Sequence, residues 1–136
     1  MRVLLAVLVS FGSLAAIAAP PPTSERPVIA LSQLSDMFAN MRANPKWNVD
    51  GPLLWGYFFT DPKPKKLEPV AQELGAAGYR IVDIYPTDDK ATYVLHVEKV
   101  EHHTPESLNK RNQEFEQLAE KYHLESYDGM DVGLAN

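Results

Sequence analysis

Leu31, Leu34, Phe38 and Met41 fall on one stripe at helical spacing, and the pattern stops at Asn44-Pro45, because the residue before a proline is pushed out of the helical region. The next apolar block differs in kind. Leu53-Leu54-Trp55-Gly56-Tyr57-Phe58-Phe59 is short, continuous and aromatic, which predicts a strand within Pro52–Thr60. Asp61-Pro62-Lys63-Pro64 breaks it. Helical spacing returns at Leu67, Val70, Ala71 and Leu74, with Pro69 early enough that its missing N–H costs little and Gly78 placed to cap the far end. Tyr79–Tyr85 and Ala91–Val100 read as strands, and the short polar link Pro86–Lys90 makes them an antiparallel hairpin. In the second of these, Tyr93, Leu95 and Val97 share one face and Val94, His96 and Glu98 the other. Thr104-Pro105-Glu106 is a helix start, with a hydroxyl N-cap, proline at the first position and an acid in the first turn. Leu108, Phe115, Leu118, Ala119 and Tyr122 line one side of that helix. Leu124–Tyr127 is predicted as a last short strand, turning at Asp128-Gly129.

After the first helix the order is β-α-β-β-α-β, the split βαβ pattern of ferredoxin-like domains. The expected fold is α+β: a four-stranded antiparallel sheet with two helices on one face, plus an extra N-terminal helix. The first strand would be central, and alternation gives it two apolar faces. Trp55, Tyr57 and Phe59 lie on one, and Leu54, Gly56 and Phe58 on the other. Only one can meet the helices. The other needs a cover, for which the candidates are the N-terminal helix (the simplest), a second copy of the chain, or a different partner.

The chain starts with a pattern of another sort. Arg2 precedes the apolar run Val3–Leu8, Leu14–Ala19 resumes it, and Ala16-Ile17-Ala18 supplies small residues where signal peptidase reads. This is the basic, apolar and small-residue order of a secretory signal peptide, and Pro20-Pro21-Pro22 ends any helix there. The expected organisation is a signal peptide at 1–18, a proline-rich linker at 19–30 and one domain at 31–136. The product would be periplasmic or secreted. It would have no membrane attachment after cleavage, since the chain contains no cysteine to carry a lipid. Without cysteines the domain must also rely on packing rather than disulfides.

Charge narrows the partners. The 13 basic and 18 acidic residues give −5, and removal of residues 1–18, which hold Arg2 and no acid, makes it −6. An acidic domain repels phosphate backbones unless it carries a strong basic patch. Lys63, Lys65 and Lys66, interrupted by Pro64, are the nearest approach to one. Aromatic sheet faces can stack RNA bases, but acidity and export both argue against nucleic acid here.

Signals for chemistry are sparse. His96, His102, His103 and His123, with Glu98 or Glu101, match no recognised zinc spacing, so no metal is expected. Asp61, Asp83, Asp128 and Asp131 fall near strand ends, where Asp61 before Pro62 and Asp128 before Gly129 act as turn formers. No cysteine nucleophile, Gly-x-Ser-x-Gly elbow or phosphate-binding glycine loop is present, and no cofactor is expected. The alternative reading is a small metal-dependent hydrolase built from the histidines and acids. A structural dimer of the cell envelope is a third.

Trp55-Gly56-Tyr57-Phe58-Phe59-Thr60-Asp61, Gly78-Tyr79, Leu118-Ala119-Glu120-Lys121-Tyr122 and Tyr127-Asp128-Gly129-Met130-Asp131-Val132-Gly133, in that order, resemble the family of the regulator of ribonuclease E activity B (RraB-like proteins). The likeness covers roughly residues 36 to 133. Met130 stands where the family's closing segment carries an aromatic residue, and there is no long acidic tail. The resemblance implies a ferredoxin-like, non-enzymatic protein that inhibits or regulates by binding another protein. The named member inhibits a ribonuclease of the bacterial cytoplasm, whereas export would give this chain a different target. The expectation is therefore an exported protein-binding module. Its partner-binding residues are taken as Trp55, Tyr57, Phe59, Tyr127 and Asp128, because aromatic residues dominate binding hot spots.

Overall fold

The computed structural model describes residues 28–135. The expected signal peptide at 1–18 and most of the linker at 19–30 lie outside the described residues. The chain then runs α1 (Leu31–Arg42), β1 (Leu53–Asp61), α2 (Pro64–Ala76), β2 (Arg80–Pro86), β3 (Tyr93–Glu101), α3 (Pro105–Lys121) and β4 (Ser126–Gly133). The strands form one sheet in the order β2-β3-β1-β4, with every neighbouring pair antiparallel. β3 is inserted between β1 and β2, which splits the βαβ unit as the element order predicts. This is the expected ferredoxin-like α+β sandwich, with β1 central.

Local chemistry sets the helix ends. At α3 the Thr104 hydroxyl accepts from Ser107 N–H at 3.0 Å while Ser107 Oγ accepts from Thr104 N–H at 2.9 Å, a reciprocal capping box. α2 ends at Gly78, whose φ of +98° lets Tyr79 N–H reach Leu74 C=O at 3.0 Å. α3 ends the same way: Leu124 N–H bonds to Ala119 C=O at 2.9 Å, but the left-handed residue is His123, with φ of 55°. A non-glycine in that position carries a steric cost. The Asp61 carboxylate is buried and accepts Lys63 N–H and Glu125 N–H, both at 2.9 Å, so one turn-forming acid joins the start of α2 to the approach to β4.

The Trp55, Tyr57 and Phe59 face of β1 meets the helices. Phe115 of α3 lies among Tyr57, Phe59, Tyr79 and Tyr127, with ring centroids 5.0 to 5.7 Å away. α1 packs against α3 and stacks Phe38 on Trp55 at 5.9 Å. All three helices thus share one layer, and α1 does not cover the other side of the sheet.

The predicted last strand needs correction. β4 does not turn at Asp128-Gly129 but runs through it to Gly133. Phe59 pairs with Tyr127 and Phe58 with Gly129, so Asp128 is the extra residue of a β-bulge and Gly129, at φ +106°, absorbs the bend. A second bulge interrupts β2 between Ile81 and Asp83.

Candidate functional site

Three places gather polar or exposed side chains: a polar cluster under the inner strands, a cleft beside β4, and the sheet face opposite the helices.

The cluster lies where β1, the end of β3 and α3 meet. Tyr57 Oη donates to Glu101 Oε2 at 2.9 Å and lies 3.1 Å from His103 Nε2. Arg111 Nη1 donates to Glu101 Oε2 at 2.7 Å. The His103 ring also meets Ser107 Oγ at 2.8 Å and packs edge-on to Trp55. Burial by itself would raise the Glu101 carboxyl, but hydrogen bonds from His103, Arg111 and Tyr57 and the Arg111 charge hold it down at about 2. Burial, with Glu101 beside it, pushes Tyr57 far above the usual phenol range, and burial lifts Tyr79 to about 12. A carboxylate fixed in its charged form and phenols fixed as neutral are poor proton carriers near pH 7. This cluster ties α3 to the sheet by fixed charge. Trp55 Nε1 is buried there without an acceptor among the described residues.

The cleft, of about 340 Å³, lies between α3 and the start of β4 and is lined by Asn109, Asn112, Gln113, Tyr127, Asp128 and Ile29 among others. Its floor is the hydrogen bond from Tyr127 Oη to Asn112 Oδ1, 2.5 Å long and buried. Burial drives the Tyr127 phenol upward too.

The residues expected to bind a partner are divided by this architecture. Trp55, Tyr57, Phe59 and Tyr127 are 1%, 0%, 0% and 4% exposed. They are core side chains, because the helices took the face of β1 that carries the first three, and none presents a surface for a partner to grip. Asp128 alone of the five is exposed. The exposed counterpart is the other face of the same strand. Leu54 and Phe58 lie there beside Val94, His96 and Val100 of β3, with Phe58 stacked on His96 at 4.4 Å and 19°. Val100 is 54% exposed, and Tyr85 of β2 adds an exposed ring at the edge. Strand alternation marks Leu54 and Phe58 as a second apolar face, but alternation cannot say which face the helices choose.

The histidines do not converge. His103 is buried in the cluster, His96 lies on the open face, His102 is exposed and His123 caps α3. Among the described residues no group of three or more histidines and acids could hold a metal ion. Nor is any described helix long and apolar enough to cross a membrane.

The family model for the regulator of ribonuclease activity B, RraB, matches residues 32–132. The chain belongs to the RraB family. The match runs from the first turn of α1 to Val132 in β4, so the sheet, all three helices, the polar cluster and the open face fall within the RraB region. No curated protein matches the chain significantly. An RraB domain is described as a regulator of ribonuclease activity.

Proposed function

We propose that this RraB-family chain is an exported, non-enzymatic regulator that binds a protein partner through the open face of its sheet. The supporting observation is the apolar side of the sheet that no described helix covers. Leu54, Phe58, Val94, Val100 and Tyr85 share the side of the sheet opposite α1, α2 and α3, with the Arg80, Glu98 and Asp131 row between Leu54 and Phe58, and exposed apolar side chains gathered on one face of a small domain favour an interaction site. The family supplies the role of regulator. The signal-peptide pattern at 1–18 supports a periplasmic or secreted location, and with it a target other than the cytoplasmic ribonuclease.

Two measurements test this. Fusing residues 1–30 to a phosphatase active only outside the cytoplasm should give activity, and deleting Val3–Leu8 should remove it. Capture from the envelope fraction should retain a partner on the wild-type domain and lose it on Phe58→Asp. A phosphatase fusion without activity sinks the export reading. A partner held equally by Phe58→Asp sinks the open face.

A further inference from the structure

The cleft beside β4 has the chain itself in its wall. Val28, where the described residues begin, and Ile29 line it together with α3 and the start of β4. Ile29 packs against the core, and its Cδ1 lies 3.7 Å from where a Cβ on Gly129 would stand. Pro27 is bonded directly to this wall, so the stretch at 19–27 starts at the cleft with no linker between.

The lining selects by charge and by hydrogen bonding. It holds two acids, Glu116 and Asp128, and no lysine, arginine or histidine. Asp128 is exposed and has no ion pair among the described residues. Asn109, Asn112 and Gln113 add carboxamides from α3. Asn112 is buried, and its amide nitrogen, which carries two hydrogens, meets the Met130 sulfur at 3.5 Å, a weak acceptor. An occupant suited to these walls brings a cation and spare carbonyl oxygens.

The adjoining stretch, Ala19-Pro20-Pro21-Pro22-Thr23-Ser24-Glu25-Arg26-Pro27, has both. Each proline has a C=O and no N–H, so its backbone carries more acceptors than donors. Arg26 is the one base between residues 19 and 30 and stands two positions before Val28, about 6 Å along an extended chain. Attachment favours this stretch over another chain of like sequence, because a directly tethered segment meets its site at an effective concentration of about millimolar.

We infer that the cleft is the docking site of the chain's own proline-rich segment, residues 19–27, with Arg26 paired to Asp128 and nearby carbonyls accepting from the α3 carboxamides. The segment then straps α3 to the bulge of β4. It also closes Asp128, the exposed member of the five residues expected to bind a partner, to any partner that does not displace it.

Nitrogen-15 relaxation of the purified protein, with residues 19–27 in place, reads the segment through the amides of Thr23, Ser24, Glu25 and Arg26. Their order parameters should match those of α3, about 0.85, and fall below about 0.6 in Arg26→Asp and in Asp128→Arg. The two substitutions together rebuild the pair in reverse and should restore the values. Raised salt should lower them, since an exposed pair is screened. The Asn112 side-chain amide resonances should move in each single variant, and circular dichroism would verify that each is folded. Order parameters already below about 0.6 in the wild type, values indifferent to either substitution, or no recovery in the double variant would overturn the inference. Rigid values that require a dimer, seen by sedimentation, would overturn it in favour of a second copy's segment. None of these readouts involves the open face, so loss of the strap leaves the proposed docking surface standing, and loss of that surface leaves the strap.

Discussion

Arg111 Nη1 lies 2.7 Å from Glu101 Oε2, and the same guanidinium rests over the rings of Tyr57, Tyr79 and Phe115 at 5.6 to 5.8 Å. The pair fixes the first two turns of α3 to the end of β3 and should dominate the acid stability of the domain. Glu101 ionises at about 2 in the folded protein against an ordinary 4.5. A carboxyl lowered on folding contributes stability that is fully present above its unfolded value and is lost as pH falls through its folded one. The denaturation midpoint should therefore drop as pH falls from 4.5 toward 2. Glu101→Gln should cost roughly 2–4 kcal/mol at pH 7, because Arg111 loses its nearer and more buried counter-ion and keeps only the longer contact to Glu114, at 3.6 Å, and should flatten that acid limb. Chemical denaturation across pH reads both, and an acid limb unchanged in the variant would remove Glu101 from this role.

Tyr127→Phe should destabilise by about 1–3 kcal/mol, the cost of leaving the buried Asn112 carbonyl without a donor. Asn112→Leu in the same chain should recover part of this, since an apolar pair has no orphaned oxygen. A double-mutant cycle in urea would measure the coupling, and strict additivity would mean that the 2.5 Å contact carries no energy.

Trp55→Ala should act on folding rather than on recognition. Its side chain is 1% exposed and stacked on Phe38, and deleting a ring of this size costs about 3–5 kcal/mol. Thermal unfolding should show the loss before any partner is added. A variant of native stability would put Trp55 outside the core.

The two left-handed helix caps should respond in opposite directions. His123→Gly should stabilise by up to about 1 kcal/mol, because glycine adopts φ of 55° without the clash that a Cβ meets. Gly78→Ala should destabilise by a similar amount, for the converse reason. Melting temperatures of the two variants decide this, and movement in the same direction would contradict the cap geometry.

Much of the fold was legible in local pattern. Thr104-Pro105-Glu106 predicted the start of α3 because a cap acts on neighbours three residues away, and Gly78 predicted the end of α2 because a left-handed residue is a local need. His123 doing the same work was not legible, since histidine enters the left-handed region far less readily than glycine and so marks no helix end by itself. The end of β4 was misread for a related reason: Asp128-Gly129 suits a tight turn and a bulge alike, and only pairing with Phe58 and Phe59 selects the bulge. Of the polar cluster, the pattern singled out Tyr57, Glu101 and His103 separately and Arg111 not at all. Tyr57 and Arg111 are 54 positions apart, and their meeting is a property of the packed sheet.

The sequence by itself determined the element order, the central place of β1 and the apolar character of both its faces, because hydrophobic period and turn chemistry are written in neighbouring residues. Only the tertiary structure decided which face became interior. Trp55, Tyr57 and Phe59 compete with Leu54, Gly56 and Phe58 on nearly equal terms in the strand alone. The outcome rests on long-range complementarity: Phe38 and Phe115 meet the larger rings, the Tyr57 hydroxyl finds Glu101 and His103, and the smaller face, with Gly56 at its middle, is left to the solvent side.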